Sequence, residues 1–267
     1  MKPAEYEALD AGVVAAALGG LAGAFALEVL PECDSTNTRL LENPPPEDGR
    51  IAVLAADRQT AGRGRRGRAW QSWPGASLTF SLQWRFAPAG SVPAGLSLVV
   101  GLAVARALEG LGVEGVQLKW PNDVLVHGRK LAGILVELVS ARGRPEAAVI
   151  GIGINLRLPP EAAVDYPTGV TDLAACLGPA PGPSLLLGRV LTQLHGLLEL
   201  FAAAGFPALR EAWQQRNAFA DLPVRILGEG GQLAGTCAGV DEDGALLLRT
   251  PTGLSRVLSG DVSLRLA

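Results

Sequence analysis

The pattern of apolar residues changes close to Leu222, and this change constrains the fold more than any other feature of the chain. Before it, apolar runs of strand length accompany two long helical patterns, over residues 93–111 and 184–204. After it, short apolar runs are separated by turns rich in glycine and aspartate, which is typical of a small β-barrel. The sequence therefore predicts an α+β domain over residues 1–220 and an SH3-like barrel over residues 221–267.

The large domain is expected to hold a mixed sheet packed with helices, including a third helix over residues 207–217. Glycine in the first position of Gly128-Arg129 favours a type II′ turn between two neighbouring strands. The predicted strands cover residues 25–30, 51–56, 78–84, 123–127, 130–139 and 148–154 in the large domain, and 224–227, 232–240, 245–249, 254–258 and 262–266 in the small one.

Charge and cysteine content exclude several classes of protein. The formal net charge of -3 argues against a protein whose main role is to hold a polyanion. The odd number of cysteines, their wide separation and the lack of a CxxC spacing argue against both a disulfide framework and a zinc site. Only two histidines are present, His127 and His195, which are too few for a histidine-rich metal centre.

The apolar stretch over residues 11–30 could be mistaken for a signal peptide or a membrane span. Glu5, Glu7 and Asp10 make its leading segment acidic, whereas a secretory leader begins with basic residues. Several glycines also dilute its hydrophobicity. We therefore expect a packed N-terminal helix, no membrane segment and, with cysteines that look reduced, a cytoplasmic protein.

The most unusual segment is Gly62-Arg63-Gly64-Arg65-Arg66-Gly67-Arg68-Ala69-Trp70. Its glycines match the dinucleotide pattern G-x-G-x-x-G, but the following residues carry a proline and no helical period, so the required helix is missing. Glycine lets backbone N–H groups approach a ligand, and arginine presents forked donors to carboxylate or phosphate oxygens. The segment alone is compatible with a mobile anion-binding loop, a nucleic-acid patch or a solvated basic loop.

Lysine is rare in this chain, which contains three lysines among many arginines. Two of them, Lys119 and Lys130, flank Trp120-Pro121-Asn122-Asp123 at the ends of the predicted hairpin. Lysine in a chain that otherwise uses arginine suggests that these two positions need an ammonium group. Codon bias would also explain why lysine occurs there. Three of the five asparagines lie in equally distinctive segments.

Taken together, these segments resemble those of biotin protein ligases, and the resemblance runs from about Ser35 to the end of the chain. The small domain contributes two shorter matches, around Gly244-Ala245-Leu246 and Ser263-Leu264-Arg265. Five matches in the large domain follow the family's order: Ser35-Thr36-Asn37, the run from Gln59-Thr60-Ala61-Gly62 through Arg68 to Trp70, Lys119-Trp120-Pro121-Asn122-Asp123, Lys130-Leu131-Ala132-Gly133-Ile134-Leu135-Val136-Glu137, and Gly151-Ile152-Gly153-Ile154-Asn155.

The resemblance implies a class II synthetase-like catalytic domain and a two-step reaction. Biotin would be activated by ATP, with Mg²⁺, to biotinyl-AMP and then transferred to a lysine of a biotin carboxyl carrier domain. The 34 residues before Ser35 are too few for the winged helix-turn-helix of bifunctional members, so a monofunctional ligase without specific DNA binding is expected. A homodimer is compatible with the resemblance.

The resemblance also assigns roles to individual residues. Lys130 and Arg65 would be catalytic, and Asp123 would contact the metal. Arg225 and Arg265 would approach the nucleotide from the small domain. Biotin would be bound by Ser35, Thr36, Asn37, Gln59, Arg63, Gly64, Arg65, Lys130, Gly133 and Ile134, and the nucleotide by Arg65, Arg68, Trp70, Asn122, Lys130 and Asn155.

Two other functions remain open at this point. A lipoate ligase or octanoyl transferase would share the overall fold, but it is not expected to combine the Ser-Thr-Asn and Lys-Trp-Pro-Asn-Asp segments. A nucleic-acid-binding module would use the arginine loop and would bind oligonucleotides in a salt-sensitive manner.

Overall fold

A computed structural model describes residues 6–44, 48–86, 94–141, 144–160, 162, 164–228, 231–260 and 262–267. The larger sheet has seven strands, in the order β1-β2-β3-β7-β6-β5-β4. Their bounds are β1 Phe25–Cys33, β2 Ile51–Gln59, β3 Ser77–Arg85, β4 Val116–Lys119, β5 Asp123–Val126, β6 Arg129–Ala141 and β7 Arg144–Asn155. The β1–β2 pair is parallel and the remaining pairs are antiparallel, so the predicted mixed sheet is confirmed.

Within the described residues, the α-helices that accompany this sheet are α1 Ala11–Leu18, α2 Thr36–Glu42, α3 Leu96–Glu109, α4 Leu173–Leu177, α5 Pro183–Ala204 and α6 Pro207–Gln214. Helix α3 is buried nearly all round, as its continuous apolar pattern indicates. Residue 93, where this helix was expected to begin, lies outside the described residues. Helix α5 has the length and apolar composition of a membrane span, yet it packs against α1 and α3 in the core.

The N-terminal apolar stretch is only partly helical. Helix α1 ends at Leu18, a 3-10 helix covers Gly19–Ala24, and β1 follows directly. Glycine is a poor helix former, and Gly19 takes a φ of 56°, which ends the α-helix. Further along, Gly188 of α5 allows α1 to approach closely, since a Cβ there would lie 2.5 Å from the Ala17 Cβ.

Both faces of the larger sheet are covered, which explains why β3 is buried along most of its length. Leu78, Phe80 and Leu82 alternate along β3 and join the main core with α3 and α5. Ser81 points to the opposite face and contacts α2. A separate small cluster, formed by Leu40, Leu54 and Val149, lies on the α2 side. Gly133, Gly151, Gly153 and Ser81 share this second face, whereas Ile134 and Ile152 belong to the main core.

The tight turn between β5 and β6 differs from the prediction. Val126 pairs with Arg129, so the two loop residues are His127 and Gly128, and both have positive φ, 48° and 77°. These angles define a type I′ turn, and the predicted type II′ turn at Gly128-Arg129 is wrong. The His127 N–H donates to the carbonyl of Gly115 at 3.1 Å, which holds His127 in this conformation.

The small sheet contains five antiparallel strands in the order β11-β10-β9-β8-β12, which confirms a small C-terminal β unit. Its contacts with the larger unit include the Trp120 indole N–H, which donates to the Gly244 carbonyl at 3.0 Å. The boundary near residue 220 stays a prediction. The strands are β8 Pro223–Gly228, β9 Gly231–Val240, β10 Leu246–Thr250, β11 Gly253–Val257 and β12 Ser263–Leu266.

Candidate active site

A cavity of about 440 Å³ lies beside the larger sheet, and the structure brings all fifteen predicted large-domain site residues to its lining. Arg265 of β12 also lines the cavity. Arg225 is not among its lining residues and pairs with Arg265 across the two strands β8 and β12. The fifteen residues are Ser35, Thr36, Asn37, Gln59, Arg63, Gly64, Arg65, Arg68, Trp70, Asn122, Asp123, Lys130, Gly133, Ile134 and Asn155.

One end of the cavity, which we call the neutral end, is lined by Ser35, Thr36, Asn37 and Gln59 and is supported from behind by the buried Ser81. Ser35 caps α2 through its side chain, which places Thr36 and Asn37 in the first turn of the helix. The Gln59 Oε1 accepts from the Thr36 N–H at 2.8 Å, and Ser81 donates to the Asn37 Oδ1 at 2.5 Å. These hydroxyl and amide groups can donate and accept without carrying charge.

Gly151 of β7 is required by the packing of the neutral end. A Cβ at this position would lie only 2.2 Å from the Asn37 Oδ1. The first glycine of the Gly151-Ile152-Gly153 pattern therefore makes room for the Asn37 side chain between α2 and the sheet.

Glu137 of β6 links the neutral end to the arginine loop of residues 62–68. One carboxylate oxygen accepts from the Asn37 Nδ2 at 2.9 Å, and the other pairs with the Arg63 Nη2 at 2.6 Å. Arg63 is thus directed toward the neutral end, whereas the other arginines of the loop lie farther along the cavity.

The opposite end, which we call the charged end, is formed by Lys119, Asp123, Lys130 and Tyr166. The Lys130 Nζ lies 2.7 Å from the Asp123 Oδ1, while the Asp123 Oδ2 accepts from the Tyr166 hydroxyl at 2.8 Å. The Lys119 Nζ donates to the same hydroxyl at 2.6 Å and lies 3.5 Å from Asp123. Two ammonium groups therefore surround one carboxylate, which leaves an excess of positive charge at this end.

Burial and charge shift the acidities at the charged end in different directions. Burial lowers the pKa of Lys119 to about 8, although the charge of Asp123 opposes the shift. Burial alone would raise the pKa of Asp123, but the charges of Lys130 and Lys119 hold it below its usual range. Burial, followed by the neighbouring charge of Asp123, raises the pKa of Tyr166, so the phenol stays protonated.

Trp70 forms one wall of the cavity and packs over two glycines. A Cβ at Gly153 would lie 2.3 Å from the indole Cε2, and a Cβ at Gly133 would lie 3.4 Å from the indole Cζ3. The Trp70 Nε1 is buried and has no hydrogen-bond partner among the described residues. A flat apolar face with one buried donor that lacks a partner suits an aromatic heterocycle.

The arginine loop is a closed turn with one short 3-10 helix over Arg65–Gly67, and it does not open into an α-helix. The Gly64 N–H donates to the Arg68 carbonyl at 2.7 Å, and the Trp70 N–H donates to the Gly62 carbonyl at 2.9 Å. Residues 71–76, which follow, contain no helix. The expectation that the glycine pattern is not a dinucleotide fold is therefore confirmed.

Arg65 extends from this loop toward both structural units. Its Nη1 donates to the Asn122 Oδ1 at 3.1 Å, and its Nη2 donates to the Gly260 carbonyl at 2.5 Å. The Asn122 amide in turn donates to the Ile134 carbonyl, and the Asn155 amide donates to the Thr171 carbonyl. The two asparagines thus fix the backbone around the charged end.

The described residues contain no group of three or more His, Cys, Asp or Glu side chains that could hold a metal ion. Lys130 lies within ion-pair distance of the Asp123 Oδ1, and the Tyr166 phenol donates to the Oδ2. Asp123 therefore fits a counter-ion of the lysines better than a ligand of a resident metal. Lys119, Tyr166 and Ser81 had no role predicted from the sequence, although the rarity of lysine and the Lys119-Trp120-Pro121-Asn122-Asp123 segment both drew attention to the first.

Two family models match the chain: the biotin/lipoate A/B protein ligase family over residues 29–155, and the biotin protein ligase C terminal domain over residues 223–265. The chain is 37% identical to the bifunctional ligase/repressor BirA of Salmonella typhimurium, covering 90% of this chain and 74% of the relative. It is 34% identical to the biotin--[acetyl-CoA-carboxylase] ligase of Paracoccus denitrificans, covering 88% and 98%. The biotin protein ligase from Aquifex aeolicus, solved in complex with biotin and ATP, superposes with a TM-score of 0.79 at 33% identity, covering 90% and 99%.

Proposed function

Because the chain belongs to the biotin/lipoate A/B protein ligase family as a biotin protein ligase, we propose that it activates biotin with ATP and attaches it to one lysine of a biotin carboxyl carrier protein. The observation that carries this proposal is the cavity itself. It joins a neutral hydrogen-bonding end to an end with excess positive charge.

Two displacement steps make up the proposed reaction. A biotin carboxylate oxygen attacks the α-phosphorus of ATP, the bond to the β-phosphate oxygen breaks, and pyrophosphate leaves. The amine of the carrier lysine then attacks the carbonyl of biotinyl-AMP, loses a proton, and expels AMP. Both reactants of the first step are anions, so the enzyme must bring them together and stabilise growing negative charge on the α-phosphate.

The neutral end would bind the ureido head of biotin, which both donates and accepts hydrogen bonds. Ser35, Thr36, Asn37 and Gln59 supply groups of both kinds. The remaining proposed biotin contacts also line the cavity: Arg63, Gly64, Arg65, Lys130, Gly133 and Ile134.

The charged end would hold the carboxylate of biotin and the phosphates. Lys130 stands between the wall formed by Trp70 and the carboxylate of Asp123, with its Nζ 6.0 Å from the indole ring centroid. The adenine base would stack on Trp70, and Arg65, Arg68, Asn122 and Asn155 would surround the nucleotide. Arg265 would reach it from the small sheet.

Magnesium is proposed to arrive with ATP as part of the substrate. Mg²⁺ is commonly held by one or two carboxylates together with substrate phosphates and water. Since the lysines and the phenol occupy Asp123, the described residues do not fit a resident magnesium ion, and no step is assigned to one.

We also propose a cytoplasmic enzyme that acts without specific DNA binding. The three cysteines are free thiols, which suits a reducing compartment. Residues 6–34 form α1, a 3-10 helix and β1, which is not a helix-turn-helix. Footprinting on a biotin-operon promoter tests the second point, and sedimentation tests the expected homodimer.

The decisive experiment mixes the protein with biotin, Mg-ATP and a biotin carboxyl carrier domain. Pyrophosphate release and a mass increase of one biotin on the carrier are expected. Replacing biotin with lipoate, and the acceptor lysine with arginine, provides the controls. If the carrier gains no biotin in the complete mixture, or gains lipoate equally well, the proposal is wrong.

A further inference from the structure

Tyr166 lies in the segment between β7 and α4 and is nearly fully buried at the charged end. Its ring lies beside both ammonium groups, with the Lys119 Nζ 4.7 Å and the Lys130 Nζ 5.1 Å from the ring centroid. A ring face attracts cations at these distances. One phenol therefore contacts both lysines and, through its hydroxyl, the carboxylate between them.

The two oxygens of Asp123 are divided between the lysines. The Oδ1 has Lys130 as its ion-pair partner at 2.7 Å. The Oδ2 accepts from Tyr166, whose hydroxyl accepts from Lys119 in turn. Lys119 itself lies 3.5 Å from the carboxylate, so the phenol connects it to Asp123 more closely than the direct contact does.

In the proposed reaction, Lys130 must direct its charge to the biotin carboxylate and the α-phosphate. Moving toward these groups would take its ammonium away from the buried Asp123. A buried carboxylate that loses its cation carries a large desolvation cost, and this cost would hold Lys130 in place. The charged end needs a second cation that stays with Asp123 when Lys130 turns to the substrate.

We propose that Tyr166 is a positioning residue that holds Lys119 as the reserve counter-ion of Asp123, so that Lys130 is free to neutralise the reacting groups. This inference rests on the proposed ligase function. The phenol stays protonated, donates to the carboxylate and accepts from the ammonium. Tyr166 thus acts on the reaction only through the two lysines.

Tyr166→Phe removes the hydroxyl and keeps the ring. We expect kcat for biotin-dependent pyrophosphate release to fall about tenfold, as follows from losing hydrogen bonds to charged groups. The KM for biotin should change much less than kcat, because the ureido contacts at the neutral end are untouched. Transfer of biotin from synthetic biotinyl-AMP to the carrier domain should also stay unchanged, since it needs no attack on the α-phosphate.

Tyr6→Phe is the matched control, because Tyr6 is the other tyrosine of the chain and lies largely exposed. A double-mutant cycle with Lys119→Met tests whether the hydroxyl of Tyr166 acts through Lys119. If the hydroxyl acts through Lys119, the double variant Lys119→Met/Tyr166→Phe should be no slower than Lys119→Met alone. A purely structural role of Tyr166 would instead make the two losses add, and it would lower the thermal midpoint and slow both half-reactions.

The inference is overturned if Tyr166→Phe releases pyrophosphate as fast as Tyr6→Phe, or if the losses of the double variant add. A failure of the proposed function can be distinguished from a failure of this inference. If the protein is not a biotin ligase, the wild-type protein itself releases no pyrophosphate in a biotin-dependent manner. That result would overturn the inference together with the function on which it rests.

Discussion

The two ends of the cavity solve different binding problems with different side chains. At the neutral end, Thr36 and Asn37 are buried and bonded to Gln59, Ser81 and Glu137, so their positions are determined before any ligand binds. At the charged end, two lysines share one carboxylate, and in the adjoining Trp70 wall the buried indole Nε1 has no hydrogen-bond partner among the described residues. The polar groups of the neutral end are already bonded to one another, whereas the charged end carries more positive than negative charge.

This difference indicates how the cavity divides its tasks. A network of hydrogen-bonded neutral groups selects a ligand by its shape and its hydrogen-bonding groups. A ligand that cannot match these donors and acceptors leaves buried polar groups without partners. An excess of fixed positive charge favours an anionic transition state without reorganising during the reaction. Substitutions at the two ends should therefore separate binding of biotin from the rate of adenylation.

The largest effect is expected for Lys130→Ala. Removing the ammonium should slow biotin-dependent pyrophosphate release about a hundredfold or more, in the range known for loss of one preorganised donor to a developing charge. Biotin affinity, measured by calorimetry, should change much less. Lys130→Arg should restore only part of the rate because the guanidinium differs in shape and reach. Equal turnover in wild type and both variants would remove Lys130 from the mechanism.

Two glycines on β7 allow the neutral end and the Trp70 wall to be perturbed one at a time. Gly151→Ala places a Cβ against Asn37, so roughly tenfold weaker biotin binding is expected from the loss of buried hydrogen bonds. Gly153→Ala places a Cβ against the Trp70 ring and should instead raise the KM for ATP by a similar factor.

Gly196→Ala in α5 is the control for these substitutions, because a Cβ there meets nothing within 4 Å. It should leave both affinities unchanged. If each of Gly151→Ala and Gly153→Ala weakens biotin binding and ATP binding to the same extent, the neutral end and the Trp70 wall are not functionally separate.

A smaller effect is expected for Arg65→Gly, which removes the contacts of the loop with Asn122 and the Gly260 carbonyl. A loop held over biotinyl-AMP slows its escape and excludes water. The variant should therefore release the intermediate and label an unrelated lysine-rich protein several-fold more than wild type, as detected by blotting for biotin.

Arg66→Gly is the matched control for Arg65→Gly, since Arg66 lies exposed in the same turn with a φ of 59° that glycine adopts easily. Arg65 does not retain biotinyl-AMP if Arg65→Gly still makes the adenylate but labels the unrelated protein no more than Arg66→Gly does.

The smallest expected effect is the chemical labelling of Cys33, which lies at the end of β1, two residues before Ser35 of the neutral end. Burial raises the pKa of its thiol to about 11, so little reactive thiolate forms near pH 8. Iodoacetamide should label the half-buried Cys176 first and leave Cys33 and the buried Cys237 unmodified in the folded protein. Mass spectrometry after brief labelling, compared with a sample in guanidinium, checks this. Rapid labelling of Cys33 in the native protein would show that the neutral end opens.

Local patterns in the sequence were sufficient for most elements of the fold. Alternating apolar residues predicted β3, and the continuous apolar run predicted the buried helix α3, because these periods follow directly from backbone geometry. Short elements were missed, including β4 and α4, since four or five residues carry too little periodicity to stand out. The type I′ turn was missed because the register of β5 against β6 determines which residues form it.

The sequence by itself determined the chemistry of the site, since five separate segments already contain its hydroxyls, amides, arginines and lysines. Only the tertiary structure decided which of these groups meet. β3 lies between β2 and β7, which brings Ser81 to Thr36 and Asn37, and the segment after β7 returns to place Tyr166 between two lysines. The Ser81–Asn37 and Lys119–Tyr166 hydrogen bonds each join residues more than forty positions apart. No local pattern encodes them, because they depend on strand order and packing of the whole domain.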